Sequence, residues 1–244
     1  MERYMEIEDT KLWTKKRGHG VPVLLISGGP GCCNYMEPVA ELINGFSEVI
    51  MFDPRGCGRS TFDGNGYDLD VALRDLETIR LEYGIKKWVV IGHSWGADLG
   101  LAYALEYPES IISFVSISGT GIQNDRDWKE AYMRNKDEIG EVLPDFEYEA
   151  SKTVHRSLID SWRAYIKRPS LLKEIAELDL PTIFIFAEND IRPSWPIEQV
   201  ANLIRNSRYI ELVGAEHYIW QTKRKELGVV LREFIKTGNG TGVK

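Results

Sequence analysis

Short, unbroken apolar runs alternate with amphipathic stretches over most of this chain. Val23 to Ile26, Val49 to Phe52, Trp88 to Ile91, Ile111 to Ile117, Thr182 to Phe186 and Tyr209 to Val213 are rich in β-branched and aromatic residues. Apolar runs that lack a polar alternate belong to strands covered on both faces. Between them, Tyr35 to Ile43, Val71 to Tyr83, the stretch after Gly96 to about Tyr107, Pro196 to Arg205 and Gln221 to Lys236 carry helical spacing, and Pro108 stops the third of these. Strands taken in turn with helices predict an α/β protein whose mostly parallel central sheet is flanked by helices. Residues 3 to 15 read as two polar-patterned strands that add an antiparallel edge.

The alternation breaks between Thr120 and Leu178, where no apolar β-run occurs. Val154, Leu158, Ile159, Trp162, Tyr165 and Ile166 fall on one helical face in this interval. The expectation is a core built from residues 1–119 and 179–244, interrupted by a small helical cap insertion over 120–178.

Composition narrows the partners. The formal charge is −7 and 43% of the 244 residues are hydrophobic, enough for a sizeable core and unsuited to nucleic acid. Lys15-Lys16-Arg17 and Lys223-Arg224-Lys225 are short basic stretches that read as solvated faces. The first residues carry alternating charge where a signal peptide needs an apolar centre, and no apolar stretch is long enough to span a bilayer, so a cytoplasmic protein without a membrane partner is expected. Cys32, Cys33 and Cys57, an odd set with two adjacent members, do not suggest a disulfide framework. No metal-ligand or nucleotide motif is present, so no cofactor is expected. Asn239-Gly240-Thr241 has the form of a glycosylation sequon and reads as chance in a frayed tail.

The candidate chemistry sits at strand ends. Trp88 to Ile91 runs into Gly92-His93-Ser94-Trp95-Gly96 and then into a helix-prone stretch, the pattern of a sharp strand-to-helix turn that exposes a serine at the C-terminal edge of a sheet. A serine hydroxyl needs a general base, and the base needs an orienting group. Thr182 to Phe186 leads into Ala187-Glu188-Asn189-Asp190, and Tyr209 to Val213 leads into Gly214-Ala215-Glu216-His217, which offers both. Ser94 is therefore the expected nucleophile, His217 the base and Asp190 the acid, with Glu188 on the same loop as the competing carboxylate. His19, His93 and His155 do not follow a late strand. The oxyanion hole needs two backbone N–H donors. Trp95 supplies one, and Ser27-Gly28-Gly29-Pro30-Gly31 supplies the other from Gly29, with Gly28 as alternate.

Three segments carry a resemblance: Gly28-Gly29-Pro30-Gly31, Phe52-Asp53-Pro54-Arg55-Gly56-Cys57-Gly58-Arg59-Ser60, and the pentapeptide around Ser94. They resemble the α/β-hydrolase superfamily and, more narrowly, the proline iminopeptidase group of serine peptidases, in which a Trp typically follows the nucleophile. The resemblance covers about residues 20–119 and 179–236 and not the cap. It implies the α/β-hydrolase fold and hydrolysis of N-terminal prolyl peptides or small amides. The chain departs from the group at Ser27, where His is usual, at His93, where Gly is usual, and in its smaller cap.

Together these readings predict a cofactor-free serine hydrolase that acts on a small-molecule or short-peptide substrate through an acyl-enzyme. An aminopeptidase is the first expectation, a carboxylesterase or lactonase the alternative, and a small-ligand receptor on the same fold the remoter one. An aminopeptidase must hold a substrate ammonium beside a carboxylate, for which the cap offers Glu138, Glu141, Asp145, Glu147 and Glu149. Asp53 and Arg55 read as structural residues beneath the elbow. The pKa of His217 is expected near neutrality, set largely by its carboxylate.

Overall fold

A computed structural model describes residues 1–7, 10–64, 66–122 and 126–237; the sequon at Asn239 lies outside the described residues. The strands are β1 (Glu2–Ile7), β2 (Thr10–Gly18), β3 (Val21–Ile26), β4 (Ser47–Phe52), β5 (Trp88–His93), β6 (Ile111–Ile117), β7 (Thr182–Ala187) and β8 (Ser207–Leu212). The helices are α1 (Glu37–Ile43), α2 (Leu69–Glu82), α3 (Trp95–Glu106), α4 (Arg126–Glu138), α5 (Lys152–Tyr165), α6 (Leu171–Glu177), α7 (Trp195–Leu203), α8 (Ile219–Thr222) and α9 (Arg224–Thr237). Among the described residues the strands form one eight-stranded sheet in the order β1-β2-β4-β3-β5-β6-β7-β8. β1 and β2 are the antiparallel edge, and β4, β3, β5, β6, β7 and β8 run parallel. The α/β class and the mostly parallel, helix-flanked sheet read from the pattern are the architecture found.

The unbroken apolar runs follow from burial on two sides. Along β3, Leu24 and Ile26 join the core on one face while Val23 and Leu25 join the other. β4, β5, β6 and β7 divide in the same way, with Ile50, Trp88, Phe114 and Phe184 on the first face and Met51, Val89, Val115 and Ile185 on the second. α2, α3, α5, α6 and α7 contribute buried residues to the first core, and α1, α8 and α9 to the second. No helix among the described residues is long and apolar enough to cross a membrane.

Between β6 and β7 the chain leaves the sheet as α4, α5 and α6. Val154, Leu158 and Trp162 of α5 are buried, while Ile159, Tyr165 and Ile166 are partly buried against the same core. Several boundaries differ from the sequence reading. The first helix begins at Glu37 rather than Tyr35, because Tyr35 is packed among ring side chains of the site. α7 ends at Leu203, two residues before the expected Arg205. The C-terminal helix is two, since the backbone at Lys223 leaves helical geometry (φ −130°, ψ 46°) between α8 and α9.

Asp53, which ends β4's run, is fully buried and binds four donors: Asn34 N at 2.8 Å and Arg59 N at 2.8 Å, Nε at 2.7 Å and Nη2 at 3.1 Å. Arg59 also lies 3.5 Å over the Trp13 ring. Arg55 pairs instead with Asp75 at 2.8 Å. These two segments thus brace the loops after β3 and β4. Removing one partner of a buried pair costs about 3–5 kcal/mol, so Asp53→Ala should lower the unfolding free energy by that amount, read as a lower urea midpoint at unchanged m-value. A midpoint within error of the parent would contradict the bracing role.

Candidate active site

The site begins with the turn between β5 and α3. Ser94 sits at φ 55°, ψ −130°, outside the regions open to ordinary residues, at a cost of about 1–3 kcal/mol. Its N–H donates to Ile117 O at 2.8 Å and its carbonyl accepts from Ala97 N at 2.9 Å, so β6 and the first turn of α3 hold the strained residue from both sides. A Cβ on Gly96 would run into the carbonyl oxygens of Ile26 and Ser27, and one on Gly92 into the Gly96 carbonyl. The first turn of α3 therefore lies directly on the ends of β3 and β5.

The loops after β7 and β8 bring in the other two groups. Asn189 N donates to Ala215 O at 2.9 Å, which ties the loops together. His217 Nδ1 lies 2.6 Å from Asp190 Oδ2, and both side chains are buried. A carboxylate only accepts, so Nδ1 carries the proton and Nε2 keeps its lone pair. Glu188 is exposed and accepts from Gly214 N at 2.7 Å, so Asp190 is the carboxylate that meets the imidazole.

Arg192, which the sequence reading passed over, completes this cluster. Its backbone N–H donates to Asp190 Oδ1 at 2.9 Å and its Nη1 to the same oxygen at 3.1 Å. Burial works against the Asp190 charge, yet His217 and Arg192 outweigh it and hold the carboxyl below the usual range. Burial, with the Arg192 charge in support, outweighs the pull of Asp190 on His217 and keeps the imidazole below its ordinary value. The expectation that His217 ionises near neutrality, set largely by its carboxylate, gives way to a lower value in which burial is the larger influence.

A directed set of hydrogen bonds runs beneath the serine. Gly28 N–H donates to Tyr35 Oη at 2.6 Å, Tyr35 Oη lies 2.8 Å from His93 Nδ1, and His93 Nε2 lies 3.0 Å from the His217 carbonyl oxygen. Since that carbonyl can only accept, His93 donates through Nε2 and accepts from Tyr35 through Nδ1. Burial holds His93 well below the ordinary imidazole value, in keeping with a neutral ring. The Gly28 N–H is thereby engaged, whereas Gly29 and Trp95 line the cavity over Ser94.

That cavity encloses about 310 Å³. Trp95 and Thr120-Gly121 border it from the core, Trp128 and Tyr132 from α4, and His155, Ile159 and Trp162 from α5, with Arg192 as its charged member. Asp98 fixes the Thr120-Gly121 loop by accepting from the Thr120 hydroxyl and from Gly121 N at 2.9 Å, and burial pushes its carboxyl up to about 7. His155 Nδ1 donates to Pro30 O at 2.9 Å, and Ser151 N donates to Gly31 O at 2.8 Å, so α5 is docked on the Gly-rich loop. None of the five cap carboxylates lines the cavity. Glu141 pairs with Arg192 at 2.6 Å, Glu147 lies 3.5 Å from Arg59, and Glu138, Asp145 and Glu149 are exposed.

The profile of the α/β hydrolase fold family matches residues 21–150, which hold the Gly-rich loop, the Asp53 segment and the elbow. The chain belongs to the α/β-hydrolase family. It is 31% identical to the proline iminopeptidase of Neisseria gonorrhoeae over 150 residues, 58% of this chain and 46% of that protein. It is 36% identical to the proline iminopeptidase of Saccharolobus solfataricus over 107 residues, 42% of this chain and 34% of that protein. The matched stretch thus spans less than half the length of these relatives. Among solved structures, the fold is similar to proline iminopeptidase from Mycobacterium smegmatis (TM-score 0.77, 17% identity, 98% of this chain and 99% of that one). It is equally similar to an esterase from Exiguobacterium antarcticum (TM-score 0.80, 19% identity, 97% of this chain and 100% of that one).

The contact of α3 with the strand ends gives a test that is independent of substrate. Overpacking at a rigid backbone contact costs about 1–3 kcal/mol or more, so Gly96→Ala should lower the melting temperature by several degrees and weaken labelling of Ser94 by a fluorophosphonate. Wild-type melting and labelling would show that the helix does not rest on these carbonyls.

Proposed function

We propose that this chain is a cofactor-free serine hydrolase in which Ser94, His217 and Asp190 act as one unit on a small acyl substrate. Ser94 Oγ attacks the acyl carbonyl while His217 Nε2 takes its proton, and the tetrahedral oxyanion accepts from the N–H groups of Gly29 and Trp95. The carbonyl re-forms as the leaving group departs with the proton that His217 returns. Water then enters, His217 removes its proton, and collapse of the second tetrahedral intermediate releases the acid and restores Ser94. Asp190 holds the imidazole and offsets the transient imidazolium charge. In this reading residues 1–119 and 179–244 form the catalytic core, and residues 120–178 form a cap that shapes the acyl pocket.

The lining of the cavity carries the substrate assignment. Trp95, Trp128, Tyr132, Ile159 and Trp162 suit an apolar or aromatic acyl group, and the ionic side chain facing it is the cation Arg192. A substrate ammonium finds no carboxylate among these lining residues, so a neutral carboxylic ester or amide fits the pocket better than a free prolyl amine. The aminopeptidase reading remains the second one, supported by relatives named proline iminopeptidase at 31–36% identity over about half of the chain.

Ser94→Ala should lower turnover by at least about a thousandfold, with His217→Ala nearly as severe and the double variant no worse, because members of a catalytic unit are non-additive. Near-parental turnover by Ser94→Ala would end the proposal, and receptor-like behaviour would then be sought. Short aryl esters, N-acetyl-prolyl amides and free prolyl amides, assayed side by side, should rank with the esters first; preference for the free prolyl amine would reverse the substrate assignment. Because the pKa of His217 is lowered, the proton-accepting form persists below the ordinary imidazole range. The rate should therefore hold down to below about pH 6.5 and fall as the ring protonates, which a pH profile of kcat/KM checks.

A further inference from the structure

We infer that Arg192 is a positioning residue whose guanidinium, shared between Glu141 of the cap segment and Asp190 of the core, tunes the acid–base pair at Ser94 and makes that tuning depend on the seating of the cap. The inference rests on the reading of His217 as the general base.

The geometry is specific. The Asp190 carboxylate divides its two oxygens: Oδ2 faces His217 Nδ1 at 2.6 Å, and Oδ1 faces the Arg192 backbone N–H at 2.9 Å and Nη1 at 3.1 Å. The same Nη1 reaches Glu141 Oε1 at 2.6 Å. All three charged side chains are withdrawn from solvent, with 14% of Arg192, 15% of Glu141 and none of Asp190 exposed. In so sheltered a row, charges act on one another with little screening. Asp190, Arg192 and His217 come from the sheet-edge loops, whereas Glu141 follows α4 in the insertion. One ion pair therefore joins the cap segment to the group that orients the base.

The row alternates in sign, which fixes the direction in which each member acts. An unopposed buried carboxylate beside His217 favours the imidazolium, and a protonated ring cannot take the serine proton. Arg192 offsets Asp190 and favours the neutral ring, while Glu141 offsets Arg192 and limits that effect. The other groups facing His217 do not supply this balance. His93, whose ring centroid is 4.7 Å away, is buried and neutral; Tyr218, at 5.0 Å, is a phenol that burial keeps protonated; Glu216, next in the chain, is exposed. Asp98 of α3, whose carboxyl burial pushes up to about 7, is engaged by Thr120 and Gly121 and feels the same Arg192 charge. Because Glu141 lies in the cap segment, the limit it sets on Arg192 holds only while that segment is seated.

Opposite signs make the test sharp. With four histidines in the chain, the imidazole C–H signals can be assigned and His217 titrated directly by NMR, alongside the acid limb of kcat/KM. Removing a nearby charge moves a pKa by about one unit or more. Arg192→Met should raise the His217 pKa and shift the acid limb upward by about one pH unit. Glu141→Gln should shift both downward by a similar amount, and Arg192→Lys should keep both near the parent. Shifts of Arg192→Met and Glu141→Gln in the same direction, or the absence of either shift in a folded variant, would overturn the inference. Should Arg192→Met not fold, Glu141→Gln and Arg192→Lys still decide it, since a merely structural role leaves the Glu141→Gln titration unmoved. The NMR titration does not require turnover, so a failure of the triad itself, seen as activity in Ser94→Ala, is told apart from a failure of the tuning.

Discussion

The close crossing of α3 over the ends of β3 and β5 is the constraint on which the rest of the site depends. It places Ser94 at a backbone geometry that an isolated turn would not hold, and it does so only because Gly92 and Gly96 leave room for the carbonyls of the neighbouring segments. The sheet order then settles the company Ser94 keeps. β3, β5, β6, β7 and β8 all end at the same edge, so the loops after β3, β7 and β8 converge there with no need for sequence proximity. The loops that carry Gly29, Ser94, Asp190 and His217 thus open at one sheet edge because parallel strands share a polarity.

Much of this architecture was legible in the chain because two-sided burial leaves a simple mark. Trp88-Val89-Val90-Ile91 has no polar alternate, and both faces of β5 are covered. The boundaries read less well where a side chain has a tertiary task. Tyr35 looks like the first residue of an amphipathic helix, yet it lies before that helix and hydrogen-bonds Gly28 and His93. The break between α8 and α9 at Lys223 likewise has no local signal, since neither Gly nor Pro marks it.

The candidate site shows the same division. Ser94, Asp190 and His217 stand out in the sequence because each follows an apolar run, and the structure sets Asp190 against the imidazole while Glu188 accepts from Gly214. Arg192 could not be found in this way. A basic residue two positions beyond the acid reads as a solvated loop cation, and its withdrawal from solvent depends on Glu141, 51 residues earlier in an insertion without strong patterning. The cap carboxylates were misleading for the converse reason. A carboxylate in a helical insertion has no sequence mark that separates an ammonium site from a partner for Arg59 or Arg192, and Glu147 and Glu141 have those partners.

These placements bear on how far likeness to proline iminopeptidases reaches. The residues matched by the α/β hydrolase fold family, 21–150, include the elbow, the Gly-rich loop and the bracing around Asp53. Specificity belongs to the walls of the cavity, and those come largely from α4 and α5. In this chain the ionic member of those walls is an arginine held by two acids. Because that arginine also touches Asp190, the wall of the cavity and the Asp190–His217 pair share a residue here, and a substitution at Arg192 would act on both.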